Sequence, residues 1–154
     1  MKAFLSFIAA LRKDKRRKAG SKEPFFNQLK KVKMTSMQKV YYLSSCDTCK
    51  RVMDEIEIPS SFLKQDIKIQ GITEEELDGL FNLTDSYEKL FSRRAKLYQE
   101  RNLKDENLLE EDYKGLILEH YTFLKRPVIV NNNEIFIGSS PKTVAAAKKS
   151  IHPN

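Results

Sequence analysis

Runs of apolar residues alternate with charged segments along the chain, and they predict three regions of β-strand. KVYYLSS, which begins at residue 39, is rich in aromatic and β-branched side chains, as in a buried strand. FLKQDIKIQ, which begins at residue 62, predicts a second strand. PVIV and EIFIG stand on either side of three asparagines and predict a β-hairpin, since asparagine tolerates positive φ in a turn.

Between and after these strands, the apolar residues recur at helical spacing. CDTCKRVMDEI predicts a helix directly after the first strand, and LLEEDYKGLILEHY predicts another with acids in its first turn. Thr73 followed by Glu76 is typical of a capping box at the start of a helix. Near the end of the sequence, Ser140 and Pro141 predict the N-cap and first position of a last helix.

SYEKLFSRRAKLYQE, which begins at residue 86, predicts a single long helix. Tyr87, Leu90 and Phe91 fall on one side of it, and about 100° per residue places Arg94 among them and Arg93 at the polar edge. An arginine within an apolar face is costly unless it meets an anion, although it can also reach out along its stem or pair with an internal carboxylate. Arg94 is therefore a candidate anion-binding residue.

The order of elements is strand, helix, strand, several helices, hairpin and helix. This order predicts an α/β fold with a thioredoxin-like mixed sheet. The helices of residues 73–121 form an insertion between a βαβ half and a ββα half.

The positive charge of the chain is concentrated at its beginning. The net charge is +7, yet the first 36 residues alone hold 11 Lys and Arg against two acids, which leaves 17 basic and 19 acidic residues in the rest. We therefore divide the chain into a basic N-terminal arm, residues 1–36, and a domain, residues 37–154. The mildly acidic domain offers no general surface for nucleic acid, so direct nucleic-acid binding is not expected.

Three interpretations of the arm stay open. It is a flexible solvated tail, or untranslated sequence upstream of a true start at Met34 or Met37, or a membrane-surface or targeting segment. No apolar run approaches the roughly 20 residues of a membrane helix, and AFLSFIAAL followed by RKDKRRK fits a secretory signal poorly. We expect a cytoplasmic monomer, in a reducing compartment where paired cysteines are catalytic or metal-binding more often than structural.

The only two cysteines, Cys46 and Cys49, stand where the first strand gives way to a helix. Unpaired backbone N–H groups and the helix dipole stabilise a thiolate at such a position, and Lys50 and Arg51 add positive charge. Cys49 follows about one helical turn later in a more buried position. This asymmetry predicts that Cys46 is a nucleophile and that Cys49 is the thiol that resolves a disulfide or adduct formed on Cys46.

Two other interpretations of the pair stay open. A zinc site needs four ligands, and the spacing of His120 and His152 from the cysteines matches no common zinc pattern. A pair of inert buried thiols is the second alternative. We expect no bound metal or cofactor, because Cys-x-x-Cys after a strand in a βαβ context favours redox chemistry.

Arg126 precedes Pro127 at the head of the hairpin, where an X-Pro bond is a candidate for the cis form. An ordinary surface arginine before a strand-starting proline is the alternative. Together with Arg94, however, Arg126 would complete an anion pocket around the Cys46 thiolate, because guanidinium groups suit oxyanions and carboxylates.

YYLSSCDTCKR, SRRAKLYQERNL, LILEHYTFLKRPVIV and EIFIGSSPKTV, in this order, resemble the glutaredoxin-like arsenate reductases and their relatives, the Spx-type redox regulators. The resemblance covers residues 39–150. It implies that Cys46 is the catalytic cysteine, that Arg94 (or Arg93) and Arg126 hold the oxyanion, and that the bond before Pro127 is cis.

The resemblance also implies a reaction. In such enzymes a thiolate attacks arsenate and a further thiol releases arsenite, with electrons from glutathione and glutaredoxin or from thioredoxin. We therefore expect a thiol-dependent oxidoreductase that acts on arsenate or a disulfide. The alternative is an Spx-like redox-sensing regulator that binds RNA polymerase.

Overall fold

The computed structural model describes residues 37–154, and its elements follow the predicted order. The predicted arm and its three interpretations lie outside the described residues. Within residues 37–154, no helix is long and apolar enough to cross a membrane. The elements are β1 (Gln38–Tyr42), α1 (Asp47–Ile56), β2 (Leu63–Asp66), α2 (Glu74–Thr84), α3 (Tyr87–Leu90), α4 (Lys96–Glu100), a 3₁₀ turn (Leu103–Asp105), α5 (Glu110–Glu119), a second 3₁₀ turn (Tyr121–Phe123), β3 (Val128–Asn131), β4 (Glu134–Ile137) and α6 (Pro141–Ile151).

The four strands form one mixed sheet in the order β2-β1-β3-β4. β1 runs parallel to β2 and antiparallel to β3, and β3 and β4 are the two strands of the predicted hairpin. The thioredoxin-like α/β fold is therefore confirmed. Because α1 is the crossover between two parallel strands, the chain must leave β1 and enter α1 at the carboxyl edge of the sheet.

The sheet separates two hydrophobic cores. On one face, Val40 and Ile129 pack with Val52 of α1 and Val144 of α6. On the other face, the insertion helices cover the strands, and Tyr41 with its neighbours is fully buried. Side chains alternate between the faces along a strand, so adjacent residues of β1 belong to different cores.

The prediction of one long helix from residue 86 is wrong: the segment forms two short helices, α3 and α4, separated by residues 91–95, which contain a turn at Arg93 and Arg94. Phe91 makes a β-bridge with Leu124. The Ser92 N–H donates to the Phe123 carbonyl over 2.7 Å, and the Lys125 N–H donates to the Leu90 carbonyl over 2.7 Å. These bonds engage backbone groups that an uninterrupted helix would need for itself, so the helix cannot continue.

The capping box at the start of α2 is confirmed. Thr73 Oγ1 accepts from the Glu76 N–H over 3.2 Å, and the Glu76 carboxylate accepts from the Thr73 N–H over 2.9 Å. The same carboxylate also pairs with Lys39 of β1 and accepts from the side chain of Gln65 in β2 over 3.3 Å. One carboxylate therefore caps α2 and ties it to two strands.

Two further local predictions are confirmed at the end of the chain. Asn132, in the hairpin turn, has a φ of 56°. The Ser140 side chain accepts from the Thr143 N–H, and Pro141 occupies the first turn of α6.

Replacing the N-cap of α2 gives a direct test of this local structure. We expect Thr73→Ala to lower the free energy of unfolding by about 1 kcal/mol, because the Glu76 N–H loses its acceptor. Urea unfolding monitored by circular dichroism would measure it. Thr73→Ser is the matched control and should keep most of the stability, since it retains the hydroxyl. An equal loss in both variants would contradict this account of the cap.

Candidate active site

Cys46 is the N-cap residue of α1, at the carboxyl edge of the sheet. Its backbone is extended, its N–H donates to the Leu43 carbonyl over 3.0 Å, and its own carbonyl accepts from the Lys50 N–H over 3.2 Å. β3 is antiparallel to β1, with Tyr41 opposite Val128, so β3 begins at this same edge. Sheet topology therefore brings Arg126 and Pro127, which precede β3, next to the cysteine loop.

The surroundings of Cys46 favour its ionised form. Partial burial opposes ionisation, but hydrogen bonds from the Cys49 N–H, the Cys49 thiol and the Thr48 N–H outweigh it, and the charge of Arg126 adds to them, so the pKa of Cys46 is lowered. The N–H groups of Thr48 and Cys49 belong to the first turn of the helix, where free backbone donors stabilise an anion. Cys46 is also the more accessible of the two free thiols.

Cys49 differs from Cys46 in both exposure and charge. Its side chain is fully buried, and the prediction that it is more buried than Cys46 is confirmed. Burial raises the pKa of Cys49 to about 11, and the neighbouring Cys46 acts in the same direction. The surroundings therefore shift the two thiols in opposite directions: they favour the thiolate of Cys46, and they keep Cys49 protonated near neutral pH.

Arg126 is the arginine whose charge reaches the cysteines, because it lowers the pKa of both Cys46 and Cys49. Its Nη1 is buried and has no hydrogen-bond partner within residues 37–154. The Arg126–Pro127 bond is cis, as the sequence resemblance implied. A guanidinium nitrogen without an acceptor beside a thiolate is able to receive an anion.

Arg93 and Arg94 lie elsewhere than the helical pattern predicted. Both are exposed in the turn between α3 and α4, so the predicted place of Arg94 on an apolar helix face is wrong. Arg93 pairs with Glu88 and donates to the Tyr113 hydroxyl over 3.4 Å, and the pKa of Arg93 is raised, chiefly by that hydrogen bond. Neither arginine is among the main influences on the pKa of Cys46.

Arg94 makes no hydrogen bond or ion pair to any residue in the part of the chain that the structure describes. Its part in binding an anion beside Arg126 stays a prediction, and so does the part of Arg93. Since Arg94 is exposed in a turn and has no partner among residues 37–154, its side chain is available to a ligand.

Sequence reasoning missed Asp66, which joins the loop of Cys46 to β2. Its Oδ2 accepts from the Ser44 N–H over 3.3 Å, and its Oδ1 accepts from the Lys68 N–H over 3.0 Å. Hydrogen bonding to Ser44 is the main cause of the lowered pKa of Asp66. An aspartate followed closely by a turn is the signal that could have found it, because its side chain accepts from the backbone two residues on.

The two histidines occupy structural positions. His120 caps the 3₁₀ turn that follows α5, and His152 Nε2 lies 3.0 Å from the Ile56 carbonyl at the far end of α1 from Cys46. Lys148 donates to the Glu55 carbonyl at that same end over 2.9 Å. Within residues 37–154, no three His, Cys, Asp or Glu side chains come together as metal ligands.

Sequence and structure comparisons relate this chain to arsenate reductases and Spx-type regulators. Residues 41–147 match the ArsC family. The chain is 28% identical over 106 residues to the global transcriptional regulator Spx of Bacillus subtilis, covering 66% of this chain and 79% of that protein. It is 24% identical over 116 residues to the regulatory protein MgsR of the same organism, covering 73% and 92%. An arsenate reductase from Vibrio cholerae has the same fold, with a TM-score of 0.60, 20% identity, and 73% and 99% of the two chains covered.

The thiol environment predicts how each cysteine reacts as the pH rises. We expect Cys46 to be alkylated by iodoacetamide with a midpoint below the pKa of an unperturbed thiol, because its thiolate is stabilised. Cys49 should stay unmodified at pH 9, which is below its pKa of about 11. Alkylation rates measured against pH, with the site assigned by mass spectrometry, test both expectations.

Arg126→Gln should move the pH midpoint for alkylation of Cys46 to higher pH, because a positive charge that favours the thiolate is removed. Arg94→Gln makes the same chemical change at the exposed arginine and serves as the matched control, for which we expect no shift. Equal shifts in the two variants would refute the assignment of Arg126.

Proposed function

The chain belongs to the ArsC family, and we propose that it is a thiol-dependent oxidoreductase in which Cys46 attacks an oxyanion such as arsenate or a disulfide. One observation carries the proposal: the pKa of Cys46 is lowered while burial raises that of its neighbour Cys49. Inert buried thiols would both be shifted upwards by their surroundings. Two thiols whose pKa values are shifted in opposite directions provide a nucleophile, Cys46, and a protonated thiol, Cys49, that can react in a second step.

In the arsenate reaction, the Cys46 thiolate forms a sulfur–arsenic bond, and a hydroxyl of the arsenate takes up a proton from solvent and leaves as water. Cys49 then loses its proton and attacks the sulfur of Cys46, which forms the Cys46–Cys49 disulfide. The sulfur–arsenic bond breaks with its electron pair remaining on arsenic, so As(V) becomes As(III) and leaves as arsenite. Two electrons pass from the two thiols to the arsenic.

Arg126 would hold the oxyanion during this attack, and Arg94 would complete the pocket from the turn between α3 and α4. The buried Nη1 of Arg126, which has no partner in the described residues, supports its assignment. The assignment of Arg94 to the pocket is supported by the exposure of its side chain and by the sequence resemblance. Arg93 is the weaker candidate, because Glu88 and Tyr113 already engage it.

The oxidised pair must be reduced before another turnover, and no bound cofactor is needed for this step. Glutathione with glutaredoxin, or thioredoxin, would supply two electrons from thiols. These donors react by exchange at an accessible sulfur, and Cys46 is the more accessible of the two.

The second candidate function is an Spx-like regulator that binds RNA polymerase and changes its contacts when the cysteines are oxidised. The observation that favours it is the similarity to proteins named as transcriptional regulators, Spx and MgsR. The same thiol pair serves both functions, because a Cys46–Cys49 disulfide is a reaction intermediate in one and a signal in the other.

Arsenate-dependent oxidation of NADPH tests the enzymatic proposal, with glutathione, glutaredoxin and glutathione reductase or with thioredoxin and its reductase. We expect turnover in the wild type and a loss of at least about a hundredfold in Cys46→Ser, which lacks the nucleophile. Cys49→Ser should accumulate an adduct on Cys46, because the resolving thiol is missing. Full turnover by Cys46→Ser would show that the nucleophile is misassigned.

Capture of RNA polymerase from a lysate tests the second function. The oxidised wild type and the reduced wild type are compared with Cys49→Ser, which cannot form the internal disulfide. The regulator is favoured if the wild type captures RNA polymerase in a redox-dependent way, Cys49→Ser does not, and the wild type shows no arsenate turnover. Turnover without redox-dependent capture would favour the enzyme.

A further inference from the structure

The turn that follows β2, residues 67–70, lies at the same edge of the sheet as Cys46. β1 and β2 are parallel, with Tyr42 opposite Asp66, so both strands end at this edge. The Ile67 N–H donates to the Tyr42 carbonyl over 2.9 Å, and the Ile69 N–H donates to the Asp66 carbonyl over 3.1 Å. The chain thus folds back into a turn directly beside the loop that leads to Cys46.

Asp66 connects this turn to the cysteine loop through its side chain. One carboxylate oxygen accepts from the turn at the Lys68 N–H, and the other accepts from the cysteine loop at the Ser44 N–H. The two segments are therefore held in a defined arrangement. Any macromolecule that reaches Cys46 along this side also meets the turn.

Ile69 presents an aliphatic side chain on this turn. It is 84% exposed, the highest value among the large hydrophobic residues that the structure describes as exposed. Its neighbours Ile67 and Ile72 are buried, so the turn exposes one aliphatic side chain between two that anchor it. Leu63, at the opposite end of β2, is 64% exposed but lies at the edge of the sheet away from Cys46.

The charged side chains of the two segments indicate what kind of surface fits here. Lys68 is exposed on the turn, and Lys50 and Arg51 are exposed near the start of α1. Asp47 lies 3.9 Å from Lys50, and the carboxylate of Asp66 is engaged by backbone N–H groups. The turn and the start of α1 therefore present one exposed aliphatic side chain, Ile69, among exposed side chains that are mostly cationic, with Asp47 as the exposed acid. Such a surface complements an apolar contact flanked by acidic residues.

We propose that Ile69 and its turn are the docking rim for a protein dithiol that reduces the Cys46–Cys49 disulfide, so that the electron donor is a protein of the thioredoxin kind rather than glutathione. The inference rests on the proposed function, since it names the partner of the same thiol pair. An aliphatic rim gives no advantage to an oxyanion or to a small hydrophilic thiol. It selects a donor that brings apolar surface beside its thiols.

The reduction balances as two exchanges. A donor thiolate attacks the accessible sulfur of Cys46, which forms a mixed disulfide, breaks the Cys46–Cys49 bond and leaves the electron pair on Cys49, which takes up a proton. The second donor thiol loses its proton and attacks the first donor sulfur, which releases the Cys46 thiolate. The donor departs as a disulfide, and this chain has gained two electrons.

The test compares a protein donor with a small one on the full-length chain, oxidised to the Cys46–Cys49 disulfide. Reduction by reduced thioredoxin and by dithiothreitol is followed by quenched-flow trapping of the free thiols. We expect Ile69→Ser to lower the second-order rate constant with thioredoxin about tenfold, as for one central apolar contact, and to leave the dithiothreitol rate unchanged. Leu63→Ser makes a comparable change at the far end of β2 and should alter neither rate.

The outcomes separate the inference from the proposed function. Three results would each overturn the docking rim. The rate of reduction by thioredoxin could be unchanged in Ile69→Ser, or it could fall equally in Leu63→Ser. Glutathione could also reduce the wild type as fast as thioredoxin does. A parallel loss with dithiothreitol would also overturn it, because the substitution would then have disturbed the thiols themselves. Failure of the wild type to form a disulfide that dithiothreitol can reduce would instead reject the proposed function.

Discussion

The stabilisation of one negative charge, on the sulfur of Cys46, is the interaction on which the proposed chemistry of this structure depends. A thiolate at this position needs free N–H groups, and the first turn of α1 supplies them only because the chain leaves β1 and enters a helix at Cys46. It also needs a positive charge from a distant segment. The antiparallel pairing of β3 with β1 brings Arg126 to that edge from 80 residues further along the chain.

A structural feature could be predicted from the sequence where the residues that cause it are close together in the chain. The start of α2 at Thr73, the turn at Asn132 and the start of α6 at Ser140 follow from residues within a few positions, and all three were predictable. The same holds for the exposure difference between Cys46 and Cys49, because one helical turn separates them. The segment from residue 86 was mispredicted since its helix is interrupted by Phe123 and Leu124, whose pairing no local pattern reveals.

The candidate site shows the same division. That Cys46 would be a stabilised thiolate followed from its place at a helix start, but the reason for pairing it with Arg94 was an apolar helix face that does not exist. The bond from Asp66 to Ser44 joins segments 22 residues apart, and the contact of Lys39 with Glu76 joins segments 37 residues apart. Such contacts depend on the register of β1 with β2, which the sequence pattern left undetermined.

The division of the molecule by its sheet has a consequence for how proteins of this family diverge. The helix that carries the thiols packs on one face, while the insertion and its arginine-bearing turn pack on the other, and the two cores have no residue in common. Substitutions that accumulate in the insertion therefore leave the packing of the thiol helix largely undisturbed. A lineage can exchange one recognised molecule for another over evolutionary time while inheriting the same sulfur chemistry, which offers a physical route from reductase to regulator on one scaffold.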